Sequence, residues 1–226
     1  MARSWPRLNA RLANWNRRFP VENDKERLAV FRTQHAGKRF IAISGGSDTE
    51  TEPAIHDFLD AFFAELPEDR VVLITGGTRG GIPEYATIAG KTQQLPVIGI
   101  VPERAVGTDK ILPMLDLVIG VEPRYGASEW GDESELFVKL ADAIIFLGGN
   151  WGAALEFTRA MKINTVRVRH GEQPIYLIPI LSIAGIPQAL WTHAHRSVEL
   201  MSACFPDAPT SSPQVVAAFL REKWWP

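Results

Sequence analysis

Short apolar runs alternate with longer amphipathic segments from residue 39 onward. The runs are apolar at nearly every position instead of every second one, which is typical of strands covered on both faces of a sheet. Each run is short enough to be one strand. They predict strands at Phe40–Ser44, Val71–Thr75, Val97–Val101, Leu117–Val121, Ala143–Leu147 and Ile175–Ile180.

The segments between these runs carry apolar residues at intervals of three and four, as in Ile55, Phe58, Leu59 and Phe62. Strands that alternate with helices predict right-handed crossovers. We therefore expect an α/β fold with a doubly wound, mostly parallel, Rossmann-like sheet and helices on both faces. The predicted helices are Pro53–Leu66, Pro83–Gln93, Asp132–Leu140 and Gly152–Lys162, followed by two more between Gln188 and Pro226.

The length of 226 residues suits one such domain and is short for an eight-stranded barrel of roughly 250 residues. We expect an N-terminal helical arm over 1–38, the Rossmann-like domain over 39–186, and C-terminal helices over 187–226 packed on the same domain. In the arm, Leu8, Leu12 and Trp15 recur at helical spacing among arginines. This pattern predicts an amphipathic helix that packs on the domain or on a second subunit; membrane or nucleic-acid contact is a weaker alternative.

Charge and composition narrow the set of partners. The net charge of −2 gives no overall attraction to nucleic acid, so no nucleic-acid partner is expected. No apolar run approaches the roughly 20 residues of a membrane span, so no membrane contact is expected from a spanning helix. Cys204 is the single cysteine, which excludes an internal disulfide, fits a reducing compartment and predicts a cytoplasmic protein. We interpret it as a small buried hydrophobic residue.

Three glycine-rich turns follow predicted strands: SGGSDTE at 44–50, TGGTRGG at 75–81 and LGGNWG at 147–152. The carboxyl ends of parallel strands share one edge, where ligands bind. Glycine allows close approach, and a helix N-terminus beyond it attracts phosphate. Each pair alone suits a tight turn, but three at corresponding places indicate a nucleotide phosphate. The predicted contacts are Ser44, Gly45, Gly46, Ser47, Gly76, Gly77, Thr78, Gly80, Gly148, Gly149, Asn150, Trp151, Gly152 and Ala153.

The segments VLITGGTRGGIPEYA, VIGIVP and ADAIIFLGGNWGAALEFTRAM resemble, in that order, the landmarks of the LOG-like (SLOG) proteins, formerly misnamed lysine decarboxylases. The similarity covers roughly residues 40–180. It implies a Rossmann-like nucleotide-binding fold, a homodimer and no required cofactor. The family's enzymes are phosphoribohydrolases that split the N-glycosidic bond of nucleoside 5′-monophosphates, while other members sense nucleotide-derived signals or carry molybdenum cofactor.

Residue by residue, the resemblance places Gly148, Gly149 and Gly152 on the family's glycine motif and Glu156 on its catalytic glutamate. Three departures are visible. Asn150 and Trp151 occupy a loop that usually holds one residue, and Ala153 replaces a threonine that contacts phosphate. Glu133 stands where the enzymes have an arginine.

Hydrolysis of an N-glycosidic bond builds positive charge on the ribose, which a carboxylate at Glu156 would stabilise. The alternative for Glu156 is a solvated glutamate, or one favoured only by the helix dipole. Arg79 is the first candidate to replace the missing arginine and Arg124 the second, although both are also ordinary surface arginines. Trp151 would stack on a base or sugar, or pack against a second subunit.

Three functions follow as hypotheses. The chain binds a nucleotide or nucleotide-derived ligand as a sensor or carrier; or it is a phosphoribohydrolase that uses Glu156 and Arg79; or it is an interaction module that docks through its N-terminal arm and its EKWWP end. A metal site is not expected, because the pair His193 and His195 has no acidic or cysteine partner at ligand spacing.

Overall fold

The computed structural model of the chain describes residues 24–48, 53–193, 203–204 and 212–225. The predicted helix of the arm around residues 8–15 lies outside these ranges. Most of the connection between the two C-terminal helices and the side chains of His193 and His195 also lie outside them.

The predicted parallel sheet is confirmed. Six strands pair in parallel in the order β4-β3-β2-β1-β5-β6. The order runs outward from β1 to β4 on one side and from β5 to β6 on the other, so the connection changes direction between β1 and β5. The strands are β1 (Arg39–Ser44), β2 (Val71–Thr75), β3 (Val97–Pro102), β4 (Leu117–Val121), β5 (Ala143–Phe146) and β6 (Tyr176–Pro179).

Helices cover both faces of this sheet, as predicted. Successive residues of a strand point to opposite faces, so Ile41 and Ile43 belong to one core while Phe40 and Ala42 belong to the other. The first core packs against α2, α3 and α7, and the second against α1, α4, α5 and α6. The helices are α1 (Asp24–Gln34), α2 (Pro53–Ala64), α3 (Gly81–Thr92), α4 (Ser134–Leu140), α5 (Trp151–Arg169), α6 (Ile186–His193) and α7 (Pro213–Trp224).

Helix α5 continues to Arg169, well past the predicted end at Lys162. The added residues include β-branched side chains, which lower helix propensity. Tertiary structure overrides that preference at Asn164, whose buried amide donates to the Ile175 carbonyl and accepts from the Ile175 N–H, both at 2.8 Å. This contact ties the extended helix to the start of β6.

Two smaller expectations concern single features. Cys204 is fully buried, as predicted, and burial raises the pKa of its thiol to about 11, so the thiol stays protonated at neutral pH. Among the described helices, none combines the length and the apolar character that a membrane crossing requires.

Candidate functional site

The first and third glycine turns meet between β1 and β5. Gly45 and Gly46 follow β1, and Gly148 and Gly149 follow β5 after one further residue. A Cβ added at Gly149 would lie 3.2 Å from the Gly45 Cα and 3.3 Å from the Gly46 nitrogen, so the two turns are in direct contact. The strand order changes direction at this point, and open α/β sheets bind ligands in the crevice that such a change creates.

Free backbone donors concentrate at these two turns. Within the described ranges, the N–H groups of Gly45, Gly46, Gly148 and Gly149 donate to no acceptor. The first intrahelical bond of α5 runs from the Ala154 N–H to the Asn150 carbonyl, which leaves the first-turn amides of α5 unbonded. The Asn150 side chain makes no capping bond. Unpaired amides and the positive end of a helix dipole are the features with which proteins bind anions.

The second glycine turn supports the first one. The Ile82 N–H donates to the Gly46 carbonyl at 3.0 Å, and the Gly80 N–H donates to Oε2 of Glu84 at 2.6 Å. The Gly77 N–H donates to the Thr75 hydroxyl at 3.1 Å. These N–H groups already donate to acceptors within the protein and are not free to bind a ligand. The predicted phosphate contacts at this turn stay predictions, while its described bonds hold the first turn in place.

A fourth turn, after β6, completes the crevice, and sequence reasoning missed it. The Ile186 N–H donates to the Gly149 carbonyl at 3.0 Å. A Cβ at Gly185 would lie 2.5 Å from the carbonyl carbon of Gly148, so only glycine allows the two backbones to approach this closely. The signal in the sequence is Gly185 just before a helix that contains Pro187 in its first turn.

Glu156 lies beside the crevice on the second turn of α5 and is partly accessible to solvent. The buried hydroxyl of Ser44 donates to its Oε2 at 2.5 Å. Burial raises the pKa of Glu156 to about 8; the Ser44 hydrogen bond lowers it, and the negative charge of Glu133 raises it further. Glu156 is therefore mostly protonated at neutral pH, and it presents little negative charge to an anion at the turns.

Glu133 precedes α4 and lies close enough to Glu156 to act on its charge. Its Oε2 accepts from the Gly131 N–H at 2.8 Å. Burial raises the pKa of Glu133; hydrogen bonds from the backbone of Glu133 and Gly131 lower it, the charge of Asp132 raises it, and the charge of Arg104 lowers it. In the LOG-like enzymes this segment carries an arginine. In this chain the same segment lies near Glu156, but it contributes the carboxyl group of Glu133.

The two predicted arginines, Arg79 and Arg124, are both exposed, and each bonds to another group of the protein. Arg79 is exposed, and its Nε donates to the Asp109 carbonyl at 2.8 Å. Arg124 is exposed and pairs with Glu135 at 2.7 Å. The cation whose charge acts on Glu133 is instead Arg104, which lies two residues past the end of β3 and was missed. The sequence signal for Arg104 was its position just after the VIGIVP strand. Residues there lie at the same edge of the sheet as the glycine turns.

Other predicted contacts also lie at or beside the crevice. Trp151 is 79% exposed at the first position of α5, next to the glycine pair. Ser47, Asn150 and Gly152 are exposed, and Ala153 is buried against Gly149. The first and third turns thus gather most of the predicted site residues around one crevice.

The family can now be assigned. The profile of the SLOG cluster4 family matches residues 38–169, more than half of the chain. The chain belongs to the SLOG cluster4 family. The resemblance stated from the sequence is confirmed, and the matched range contains the glycine turns, Glu133 and Glu156. No curated protein sequence matches the chain significantly.

Several solved structures share the fold of this SLOG protein. The molybdenum cofactor binding protein from Rippkaea orientalis is 19% identical, with a TM-score of 0.60 over 82% of this chain and 97% of that one. The molybdenum cofactor carrier protein from Chlamydomonas reinhardtii is 17% identical, with a TM-score of 0.56 over 82% and 99%. DNA processing protein A from Helicobacter pylori is 14% identical, with a TM-score of 0.57 over 85% and 84%. At these identities the likeness concerns the fold.

The exclusion of nucleic acid was wrong. The fold occurs in the DNA processing protein A of H. pylori, whose structure concerns its single-stranded DNA binding mode. A near-neutral net charge is a sum over the whole surface, so it does not exclude local clusters of cations. Here Arg79, Arg104 and Lys110 are all exposed on or beside the loops that follow β2 and β3.

Proposed function

We propose that the chain binds the phosphate of a nucleotide or nucleotide-derived ligand at the switch point between β1 and β5, as a sensor or carrier. The observation that carries this proposal is the contact between two turns whose amides are unbonded in the described structure. The open first turn of α5 adds donors of the same kind. The ligand-binding relatives of the same fold are consistent with such a role.

The state of Glu156 favours binding over hydrolysis. A carboxyl group with a pKa of about 8 is mostly neutral at pH 7, so it does not repel a phosphate and contributes little to stabilising an oxocarbenium ion. Glu133, in place of the enzymes' arginine, gives no cation to fix a substrate. Trp151 offers an exposed aromatic face beside the turns, on which a base can stack.

The retention of Glu156 beside the glycine turns supports a second candidate, the phosphoribohydrolase. Such activity would need the ionised carboxylate. The rate would therefore rise with pH through about 8 and be lost in Glu156→Gln.

Nucleotide binding is expected to raise the Tm of the protein in a panel of AMP, GMP, CMP, UMP and ADP-ribose, without release of free base. Trp151→Ala is expected to weaken binding about tenfold, because base stacking contributes roughly 1–3 kcal/mol. Tyr125→Ala is the control, since Tyr125 is even more exposed but lies in the loop after the edge strand β4 and not at a glycine turn. Calorimetric titration gives the affinities, and chromatography detects the base.

Two outcomes would count against the proposal. Base release that depends on Glu156 and increases through pH 8 would establish the hydrolase instead. Equal losses of affinity in Trp151→Ala and Tyr125→Ala would show that the nucleotide does not bind at the switch point between β1 and β5.

A further inference from the structure

A cleft of about 310 Å³ opens at the carboxyl end of β3, apart from the glycine turns. It is lined by Arg104, Ala105, Thr108, Lys110 and Trp130. Strand β2 separates β3 from β1. Since neighbouring strands are about 4.8 Å apart, the end of β3 lies about 12 Å along the edge from the junction of β1 and β5, and the cleft lies beyond the end of β3.

Two cations face one aromatic ring in this cleft. The Arg104 Cζ is 5.6 Å from the centroid of the Trp130 ring, and the Lys110 Nζ is 5.8 Å from it. Trp130 is 47% exposed, so the ring and its two cations are open to a ligand. Cation–π attraction holds both cations near the ring despite their mutual repulsion. An anion between them would relieve that repulsion.

Of these two cations, only Arg104 forms an ion pair in the described ranges. Arg104 contacts Glu129 at 3.1 Å, but the Glu129 side chain is 68% exposed, and exposed ion pairs contribute little to stability. A phosphate can therefore replace that carboxylate. The charge of Arg104 lowers the pKa of Glu133, but the Glu133 carboxyl group accepts its hydrogen bond from the Gly131 N–H and forms no ion pair with Arg104 in the part of the chain that the structure describes. Lys110 forms no ion pair with any residue in the described ranges.

Arg79 connects the cleft to the glycine turns. Its N–H donates to the Lys110 carbonyl at 2.7 Å, and its side chain donates to the Asp109 carbonyl at 2.8 Å. The loop of the cleft is thereby tied to the second glycine turn, which in turn bonds to the first turn through Ile82 and Gly46. Arg79, Lys110 and Arg104 therefore lie on loops that follow β2 and β3 at the same edge of the sheet.

We propose that Arg104, Lys110 and Trp130 form a second phosphate-binding site, for a phosphate at least about 12 Å from the one at the glycine turns. A ligand that fills both sites carries at least two phosphates separated by a spacer. A short single strand of nucleic acid separates its phosphates by sugars, and a dinucleoside polyphosphate separates its outer phosphates by the inner ones. The inference rests on the proposed function for its first site, while the cleft has its own donors.

Affinity measurements with dAMP, the tetranucleotide p(dA)4 and diadenosine tetraphosphate test this second site. At least one of the two longer ligands is expected to bind the full chain about tenfold more tightly than dAMP. Arg104→Ala and Lys110→Ala are each expected to weaken that ligand about fivefold while changing dAMP less than twofold. The logarithm of its affinity should also depend less steeply on salt, by about 0.7 for each phosphate that the variant no longer neutralises. The longer ligand that shows the gain identifies the source of the second phosphate.

Lys223→Ala is the matched control. It removes a lysine that lies 5.6 Å from the Phe219 ring, next to Trp224, which contacts Arg39 at the opposite edge of the sheet. An equal loss in this variant would reveal nonspecific attraction and overturn the proposal. It is also overturned if dAMP binds and neither longer ligand binds more tightly. If dAMP does not bind but a longer ligand does, with losses in Arg104→Ala and Lys110→Ala, the cleft stands and the glycine site fails. If none of the three ligands binds, both sites fail.

Discussion

Gly81→Ala is expected to lower the free energy of unfolding by about 3 kcal/mol, which corresponds to a fall in Tm of about 6–12 °C. Gly81 has a φ of +54°, and an added Cβ would collide with the carbonyl oxygen of Gly46. It would also lie 2.7 Å from the carbonyl carbon of Ser47. These are backbone atoms, so no side-chain rotation relieves the clash. Thermal and urea unfolding measure the effect.

Gly107→Ala is the matched control for that substitution. Gly107 also has a positive φ, at +78°, but an added Cβ would meet nothing within 4 Å. Only the left-handed backbone conformation then costs energy, about 1 kcal/mol, or a fall in Tm of about 2–4 °C. Equal losses in both variants would mean that the second glycine turn does not support the first turn through this close contact.

Glu156→Gln is expected to remove much of the decline in stability between pH 5 and pH 8. The pKa of Glu156 is about 8 in the folded protein and near 4.5 when the chain is unfolded. The folded state therefore holds the extra proton between these values, and the wild type loses stability as the pH rises through this window. We expect the variant to gain about 3 kcal/mol relative to the wild type between pH 5 and pH 8, or about 6–12 °C in Tm.

Two further variants check the origin of this effect. Glu133→Gln removes the neighbouring negative charge, which lowers the pKa of Glu156 and moves the decline to lower pH. Glu222→Gln removes a carboxyl group from the exposed surface of α7 and controls for the loss of a carboxylate elsewhere. If the stability of Glu156→Gln and that of Glu222→Gln depend on pH in the same way, burial at the crevice does not hold the proton on Glu156.

The sequence was sufficient for the sheet and for the meeting of the first and third turns. Apolar runs such as Val71–Thr75 predict buried strands, and parallel strands bring their following glycines to one edge. The length of α5 was not predictable from local preference. Its last turns depend on the contact between Asn164 and Ile175, which are distant in space until the chain folds.

The role of each turn depended on contacts that no local pattern contains. In the sequence the second glycine turn looks equivalent to the other two. In the structure the Ile82 N–H, just after this turn, donates to the Gly46 carbonyl and so supports the first turn. Arg104 and Lys110 were missed because they become neighbours only across Trp130. The protonation of Glu156 likewise depends on burial and on Glu133, which lies just before a different helix, α4.

Amide chemical shifts of the 15N-labelled protein, titrated with AMP, test directly whether the backbone of the two turns holds a phosphate. The largest changes are expected at Gly45, Gly46, Gly149 and Trp151. No change is expected at Gly171, just past the far end of α5, roughly 28 Å along the helix from Trp151. Shifts confined to other parts of the sheet, or none at millimolar AMP, would contradict a nucleotide site at the junction of β1 and β5.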